Sequence, residues 1–379
     1  MNTKIKQILN IVSICVAIVI LGFVADISID RLLQYPLHSN GLVNCVLCLL
    51  VIFASFYVNV ILHEAGHLIM GLLSHHRFVS FQIGDLTFVK EHDSLCLKKN
   101  HVAGIAGQCL MEPPALTDQR YHCVGFLLGG GLMNLCLCII LYLVSLLFSD
   151  NSAVTTVLVY LAGSTSLYVA VTGLFPMRLV SLMNDGYNAF LENDSGKLAN
   201  YYILRFNAAM SKAERITDID SEILTQVLNF DFSDLDSPCT ANLCFNAAQC
   251  YMAKREYDSA KMCYERIAAS KTVGILKSFS NCELAFLDIL LQGENATPEK
   301  YMDVNAQSFQ KKMKSNASVL REKYAYYLLY KKDEKKAAAI KQKFFKSVAC
   351  APVKAERHCE QQLFNEIETA ASQKYNAIE

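Results

Sequence analysis

The stretch Leu62-His63-Glu64-Ala65-Gly66-His67-Leu68-Ile69-Met70 sets two histidines and a glutamate in the second half of an apolar run, from about residue 42 to 73. That run is longer than the roughly 20 residues that an α-helix needs to cross a bilayer. Ionisable side chains are costly inside a membrane, and those found there usually serve a function. We therefore predict a membrane-spanning helix that carries a functional site.

The spacing within this stretch indicates a metal site. His63 and His67 are four residues apart, so their imidazoles lie on one face of a helix and can bind a single zinc ion. Glu64 follows the first histidine and can act as general base toward a water on that ion. Zinc lowers the pKa of a bound water to about 7. A polar helix end at the membrane surface is the alternative explanation for the pattern.

A catalytic zinc usually takes three protein ligands and keeps one position open. Asp185 is the best candidate for the third ligand, because it lies just past the fourth apolar run, on the side of the membrane predicted for His63 and His67. His75 and His76 are nearer in sequence, but they fall beyond the predicted end of the helix. We expect these two to be ordinary exposed histidines.

Composition divides the chain of 379 residues into two parts. Hydrophobic residues make up 53% and charged residues 18%, below the roughly 25% typical of soluble domains. The deficit is confined to the first 190 residues or so, and we expect a membrane-embedded domain over residues 1–190 that contains the predicted metal site. Residues 195–379 are rich in Lys, Glu, Ala and Tyr and predict a soluble, cytoplasmic α-helical domain. The 35 basic and 35 acidic residues form no basic stripe, so we expect no nucleic-acid partner.

Four apolar runs predict spans at about residues 8–25, 42–73, 123–148 and 153–175. The first also resembles a signal peptide, but its length and Phe23 before a cut at Ala25 favour an uncleaved helix. Basic residues precede the first run, separate the second from the third and follow the fourth. By the positive-inside rule both termini and the histidine site then face the cytoplasm. We expect a multi-pass protein of a bacterial cell membrane, in contact with the lipid bilayer.

A small β-element is predicted over about residues 77–100, against the cytoplasmic face. Residues 77–84 alternate apolar and polar side chains, Leu86–Lys90 and Leu95–Lys98 can form further strands, and turns are expected at Gly84-Asp85 and His92-Asp93-Ser94. Residues 101–120 are rich in Gly and Pro and predict an ordered loop. This loop and Asn184 are placed to line a water-filled cavity that leads to the zinc.

Small and aromatic residues between Cys244 and Ala269 are spaced like a helix-turn-helix repeat, similar to the tetratricopeptide pattern, with a weaker echo over Lys323–Phe345. An unrelated helical bundle is the alternative. The fifteen cysteines form no disulfide pattern, because about six lie in apolar runs, where free Cys acts as a small hydrophobe. Cysteines in the second half suggest a reducing compartment. Cys45 and Cys48 are spaced like half of a metal site, but no second pair accompanies them.

Three features together resemble the site-2 protease family, peptidase family M50: His63-Glu64-x-x-His67 in an apolar helix, Gly130-x-x-x-Asn134 in the third apolar run, and Asp185-Gly186 after the fourth. The resemblance covers roughly residues 42–190. It implies a membrane-embedded Zn²⁺ site with His63, His67 and Asp185 as ligands and Glu64 as the base. It also implies that Asn134 positions substrate or stabilises an oxyanion; packing of small residues is the other explanation of this element.

The chain departs from the family's common pattern before Asp185. The family often has Pro-x-Pro shortly before Leu-Asp-Gly, whereas here a single proline, Pro176, stands further away and Met183-Asn184 precedes the aspartate. No complete PDZ-like domain fits residues 77–120. The β-element can instead hold an unwound substrate by strand addition.

The resemblance implies hydrolysis of peptide bonds in or near transmembrane segments. The expected substrates are membrane proteins or leftover signal peptides. The helical domain would bind a cytoplasmic protein or peptide. The competing hypothesis is a non-catalytic membrane scaffold that presents the helical domain to cytoplasmic partners.

Overall fold

A computed structural model of the protein describes residues 3–91, 94–99, 106–116, 120–148, 152–179, 182–272, 274–351 and 353–375. The chain divides into two compact units, residues 1–194 and 195–379. The first combines long helices with small antiparallel sheets, and the described part of the second is helical. The prediction of a mainly α-helical chain with a small β-element is therefore confirmed.

Four helices of the first unit are long and apolar enough to cross a membrane, judged by length and composition. They are α1 (Thr3–Gln34), α2 (Gly41–Leu73), α3 (Val124–Ser145) and α4 (Ala153–Leu174). Helix α1 extends well past the predicted span, because its polar end is also helical until Pro36 disfavours a helical conformation at Tyr35. The side chain of Asn40 caps α2 by accepting hydrogen bonds from the backbone N–H groups of Leu42 and Val43.

Helix α4 contains a π-helical segment, Thr156–Gly163, ahead of a regular α-helical end, Ser164–Leu174. Ser164 accepts or donates a hydrogen bond with Ser28 of α1 at 2.8 Å. This bond links the apolar helices α1 and α4 through two polar side chains. A π-helical segment locally widens a helix and often lies near functional sites.

The sheet of the first unit has four antiparallel strands in the order β3-β2-β1-β4. The strands are β1 (Arg77–Ile83), β2 (Leu86–Glu91), β3 (Ser94–Lys99) and β4 (Gly107–Glu112). Strands β2 and β3 match their predicted ranges to within a residue. The predicted turn at Gly84-Asp85 is present, with Gly84 at φ +53°. The predicted turn at residues 92–94 lies largely outside the described residues.

Strand β4 corrects the prediction of a loop over residues 101–120. It pairs with β1 along most of its length, with Phe81 opposite Cys109 and Gln82 opposite Gln108. These partners are about 25 residues apart in sequence, so the pairing leaves no local signal, and the neighbouring Gly and Pro residues suggest a loop. Part of the segment that we expected only to line a cavity is therefore a strand of the sheet.

The structure also gives the position of the sheet relative to α2. We expected it against the cytoplasmic face of the membrane, which stays a prediction, and the structure adds that the sheet runs alongside α2. A Cβ atom on Gly84 would lie 3.8 Å from the Tyr57 hydroxyl, and one on Gly107 would lie 3.0 Å from Val60. Tyr57 is 16 residues before Leu73, which corresponds to about 24 Å of helix. The sheet therefore reaches the level of Glu64 along α2.

A short segment connects α4 to the end of the first unit. Two short strands, β5 (Arg178–Leu179) and β6 (Leu182–Met183), pair with each other and lead into a short helix, α5 (Asp185–Phe190). The side chain of Asn10 in α1 holds β5, since its amide accepts from the N–H of Arg178 at 2.6 Å and donates to the carbonyl at 3.3 Å.

The second unit consists of helices around a common apolar core. They are α6 (Asp194–Lys212), α7 (Ser221–Leu228), α8 (Pro238–Lys254), α9 (Tyr257–Ala269), α10 (Gly274–Gln292), α11 (Val304–Lys312), α12 (Ala317–Ala325), α13 (Glu334–Ala349) and α14 (Lys354–Tyr375).

Helices α8 and α9 form the predicted helical pair, separated by Arg255 and Glu256, and Arg255 ends α8 in the left-handed conformation at φ +63°. The predicted echo over Lys323–Phe345 contains the end of α12, a π-helical turn at Tyr326–Tyr330 and part of α13. A helical second unit is thus confirmed, whereas its assignment to the tetratricopeptide repeats stays a prediction.

A buried charge cluster ties three helices of the second unit together. The guanidinium of Arg321 in α12 is 1% exposed and donates to Glu283 of α10 at 2.6 Å and to Glu360 of α14 at 2.8 Å. It also lies 4.0 Å from the centre of the Phe286 ring. Losing one member of such a buried ion pair leaves the others unpaired in a low-dielectric interior, which is strongly destabilising.

Candidate metal centre

Helix α2 and the start of α5 bring three ligand atoms to one point. The Nε2 atoms of His63 and His67 are 3.2 Å apart, and the Oδ2 atom of Asp185 is 3.3 Å from the first and 3.4 Å from the second. These are the three residues for which the sequence predicted a metal site. Across the described ranges, they are the group of three or more His, Cys, Asp or Glu side chains that can hold a metal ion.

The other ring nitrogen of each histidine faces a hydrogen-bond acceptor. Nδ1 of His67 donates to the backbone carbonyl of Phe126 at 2.8 Å, and Nδ1 of His63 donates to Oδ1 of Asn134 at 2.9 Å. A proton on Nδ1 leaves the lone pair of Nε2 free in both rings. Two lone pairs and a carboxylate oxygen then converge, and a cation between them would relieve their mutual repulsion.

Asn184 explains how the chain positions Asp185. Its amide uses all four of its hydrogen-bonding positions on backbone groups. Oδ1 accepts and Nδ2 donates at distances of 2.5–2.9 Å, and the partners are the N–H groups of Met177 and Tyr187 and the carbonyls of Thr172 and Phe175. The side chain thereby caps α5 and joins it to the end of α4. Asn184 was expected to line a water-filled cavity, but its polar atoms are engaged by the backbone.

Glu64 lies against strand β4. A Cβ atom on Gly107 would be 2.8 Å from Cγ of Glu64 and 3.1 Å from its Oε1, so only glycine fits beside this carboxylate. Cys109, two residues further along β4, is buried, and burial raises the pKa of its thiol to about 12. The thiol therefore stays protonated near neutral pH, and Cys109 is not part of the group of converging ligand atoms found among the described residues.

The glycine-rich element of α3 has two separate functions in packing. Gly129 faces Gly66, the glycine between Glu64 and His67, so closely that a Cβ on Gly66 would lie 2.2 Å from the Gly129 carbonyl oxygen. Gly130 faces the metal site, and a Cβ there would lie 2.5 Å from Nε2 of His63. The first contact sets the spacing of α2 and α3, and the second leaves room for the histidine ring.

Asn134 is fully buried and contacts Nδ1 of His63, while the other ring nitrogen, Nε2, faces His67 and Asp185. Both protons of its amide are donated to Asn59, one to the backbone carbonyl at 2.9 Å and one to Oδ1 at 2.7 Å. In this arrangement Asn134 orients a histidine and has no N–H left for an oxyanion. The oxyanion role stays a prediction and would require the side chain to rotate.

Two residues near this site were missed from the sequence. Asn59 precedes His63 by one turn of α2, and its Nδ2 atom donates to the carbonyl of Ser55 at 2.9 Å and to Oγ of Ser166 in α4 at 3.0 Å. A polar residue at position i−4 on a histidine-bearing face is the one signal that was available for Asn59. Ser166 has no such signal, because serines are common in apolar helices.

The expectation of two exposed histidines is correct for His75 and wrong for His76. His76 is 3% exposed, stacks on Phe126 with ring centres 4.8 Å apart, and shares a hydrogen bond with the Tyr121 hydroxyl at 2.9 Å. Burial lowers the pKa of its imidazole, which favours the neutral ring. The chain turns back over α3 directly after α2, and this turn covers a side chain that helix length alone would leave outside.

Comparison with known proteins adds no relative: no protein-family model, no curated protein and no solved structure matches this chain.

Proposed function

We propose that the protein is an intramembrane zinc metalloprotease, similar in its site to the site-2 protease family, that hydrolyses peptide bonds in or near transmembrane segments of membrane proteins or leftover signal peptides. The observation that carries the proposal is the convergence of His63, His67 and Asp185 beside Glu64. His63 and Asp185 are 122 positions apart in the sequence. Chance placement of a lone His-Glu-x-x-His pattern would not bring a third ligand to the same point.

The donor set fits zinc in both chemistry and spacing. Two imidazoles and one carboxylate are a ligand set of catalytic zinc sites. Ligand atoms about 2.0–2.1 Å from a tetrahedral ion lie about 3.3 Å from one another. The separations of 3.2, 3.3 and 3.4 Å in this protein match that value.

The chain's own residues would divide the reaction between them. A zinc ion held by His63, His67 and Asp185 would supply a water of lowered pKa and polarise the scissile carbonyl. Glu64 would take the proton of the attacking water and deliver it to the leaving amine nitrogen, as a general base and then a general acid. Asn134 would keep His63 oriented throughout.

Strand β4 offers a place for the substrate. It stands at one end of the strand order within the described sheet, and its first residue, Gly107, touches Glu64. A peptide bond within a helix is shielded, so a transmembrane substrate must unwind before it is cut. An extended peptide that pairs with the edge of β4 would bring its backbone to Glu64 by strand addition.

The proposed setting is a cell membrane crossed by α1 to α4, with both termini and the metal site toward the cytoplasm. The support is the length and composition of the four helices and the distribution of basic residues between them. Water would then reach the site from the cytoplasm.

Replacement Glu64→Gln tests the proposal. The purified variant should keep bound zinc, since Glu64 is not a ligand, but should lose cleavage of a membrane-bound reporter protein. The variant His67→Ala should lose both the bound zinc and the cleavage of the reporter. Cleavage by Glu64→Gln at the wild-type rate would contradict the mechanism. Wild-type protein without bound zinc would favour the non-catalytic scaffold instead.

A further inference from the structure

A chain of buried polar side chains continues from the metal site into the neighbouring helices. His63 contacts Asn134 of α3, Asn134 contacts Asn59 of α2, and Asn59 contacts Ser166 of α4. Asn59 is 1% exposed, and Asn134 and Ser166 are 0% exposed. Buried polar groups inside apolar helices are costly unless each is paired. This set is paired along its whole length, and it ends on a metal-ligating histidine.

Backbone carbonyls determine the direction of every bond in this chain. A carbonyl can only accept, so the contact of Asn59 with the Ser55 carbonyl must involve Nδ2 of Asn59, and its Oδ1 must then face Asn134. The contact of Asn134 with the Asn59 carbonyl likewise involves Nδ2, and Oδ1 of Asn134 must face His63. His63 consequently carries its proton on Nδ1.

We propose that Asn59 and Ser166 are positioning residues for the metal centre, which act on His63 through Asn134. They hold the Asn134 amide in the one orientation that selects the Nδ1–H tautomer of His63 and directs its Nε2 lone pair toward His67 and Asp185. The inference rests on the proposed zinc site and adds residues that do not touch the metal. Partners that orient metal-ligating histidines commonly change metal affinity about 10- to 100-fold when they are lost.

The competing explanation is that these bonds only hold helices together. The protein contains a matched contact for comparison, because Ser164, two residues before Ser166 on α4, bonds Ser28 of α1 and does not lead to His63. The hydroxyls of Ser164 and Ser166 each also donate a hydrogen bond to a backbone carbonyl of their own helix. If the two hydroxyls only hold helices together, losing either one should change zinc affinity to a similar extent. If Ser166 is a positioning residue, only the loss of its hydroxyl should change zinc affinity.

The test measures zinc affinity in the purified full-length protein, by competition with a chromogenic chelator, for the variants Asn59→Leu, Ser166→Ala and Ser164→Ala. Asn59→Leu should weaken zinc binding about 10- to 100-fold, because one Asn134 proton loses its acceptor. Ser166→Ala should give a smaller loss in the same direction, and Ser164→Ala should match the wild type. Visible absorption of the Co²⁺-substituted protein should change for Asn59→Leu and Ser166→Ala and stay unchanged for Ser164→Ala.

Each outcome decides the inference. Wild-type zinc affinity and an unchanged Co²⁺ spectrum in both Asn59→Leu and Ser166→Ala would overturn it, and so would equal losses in Ser166→Ala and Ser164→Ala. If Asn59→Leu fails to fold, the two serine variants decide alone. A wild-type protein that binds no zinc would overturn the proposed function itself, and the two failures are therefore distinguishable.

Discussion

Gly130 leaves the space that the His63 ring occupies at the metal site. Its Cα faces the His63 ring, and a methyl group there would lie 2.5 Å from Nε2, the atom that would bind the ion. Because the ring is also held by Asn134 from behind, it cannot retreat without breaking that hydrogen bond. We expect Gly130→Ala to lose zinc, measured as the metal-to-protein ratio after dialysis.

Gly125→Ala is the control for this prediction. Gly125 lies on the same helix, and a Cβ there would meet its nearest atom, in Met70, at an ordinary 3.6 Å. This variant should keep its zinc. Retention of wild-type zinc content by Gly130→Ala would show that the His63 ring is not held as the structure has it.

Asn184 positions Asp185, the third proposed ligand. Asn184→Ala removes the four hydrogen bonds that fix the turn before Asp185. We expect zinc affinity to fall at least about 10-fold, in the range of lost outer-shell contacts. Chelator competition on the purified variant measures it.

A second asparagine on the same short helix provides the comparison. The Oδ1 atom of Asn188 is buried and has no hydrogen-bond partner among the described residues. Asn188→Ala should therefore leave zinc affinity within a few-fold of the wild type. Equal losses in the two variants would mean that α5 is merely destabilised, and that Asn184 has no specific role.

The sequence allowed parts of this site to be predicted where the signal was local. His63, Glu64 and His67 follow from the period of one helix. The four-fold use of Asn184 did not follow, because three of its backbone partners lie 7 to 12 positions earlier, at separations that match no helix or strand period. Asn59 and Ser166 did not follow either, because they bond each other from two helices, 107 positions apart. Contacts between residues over 100 positions apart leave no spacing to read in a single sequence.

The same distinction holds for the elements. The four long helices and β1 to β3 show their periodicity over adjacent residues, and they were predicted to within a few residues apart from the extended α1. Strand β4 was missed, since its partner β1 lies beyond two other strands, and since β4 begins at Gly107 and is followed directly by Pro113. Local propensity favoured a loop there, and tertiary pairing overrode it.

Strand β4 yields an element-scale prediction that separates catalysis from metal binding. Gly107→Ala would place a methyl group 2.8 Å from Cγ of Glu64 and push the carboxylate away from the site. We expect cleavage of a membrane-bound reporter to fall at least about 10-fold, within the range that general-base catalysis supplies. Zinc content should stay the same, because the three atoms nearest to the added methyl group belong to Glu64 and Val60 and not to a proposed ligand.

The neighbouring exposed residue serves as the control. Gln108→Ala changes a side chain that faces solvent on the same strand. It should leave both zinc content and cleavage close to the wild type. Loss of zinc in Gly107→Ala would contradict the prediction, because it would mean that the strand supports the ligands and not Glu64.

At the scale of the whole molecule, the second unit has its own core and its own buried charges. Arg321 links α10, α12 and α14, so Arg321→Ala leaves the buried Glu283 and the partly buried Glu360 without their counter-charge. We expect a loss of about 3–5 kcal/mol in unfolding free energy, which lowers Tm by about 6–20 °C for a unit of this size. Thermal and urea denaturation of purified residues 195–379 measure both quantities.

Lys354→Ala is the matched control, because Lys354 forms an ion pair with Glu214 in which both side chains are more than half exposed. Exposed pairs contribute about 0–1 kcal/mol. A loss in Arg321→Ala no larger than that in Lys354→Ala would contradict the buried-cluster account.

The two-unit organisation allows a test of what the helical unit does for the proposed protease. Helical-repeat domains bind peptides or partner proteins. Because the sequence predicts such a domain over residues 195–379, we propose that these residues select substrates or couple cleavage to a cytoplasmic signal. The ligands and Glu64 all lie within residues 1–194. A protein ending at residue 194 should therefore keep its zinc and its Glu64-dependent cleavage of a reporter, but lose its preference among natural substrates.

Substrate trapping measures that preference. Glu64→Gln in the full-length chain should retain bound substrates that mass spectrometry can identify, and the same replacement in the shortened chain should retain a different or broader set. The full-length double variant Glu64→Gln, Arg321→Ala should behave like the shortened chain at temperatures where its second unit is unfolded, because Arg321 and its ion-pair partners all lie within residues 195–379. An identical set of trapped proteins in all three would show that the membrane unit alone recognises its substrates.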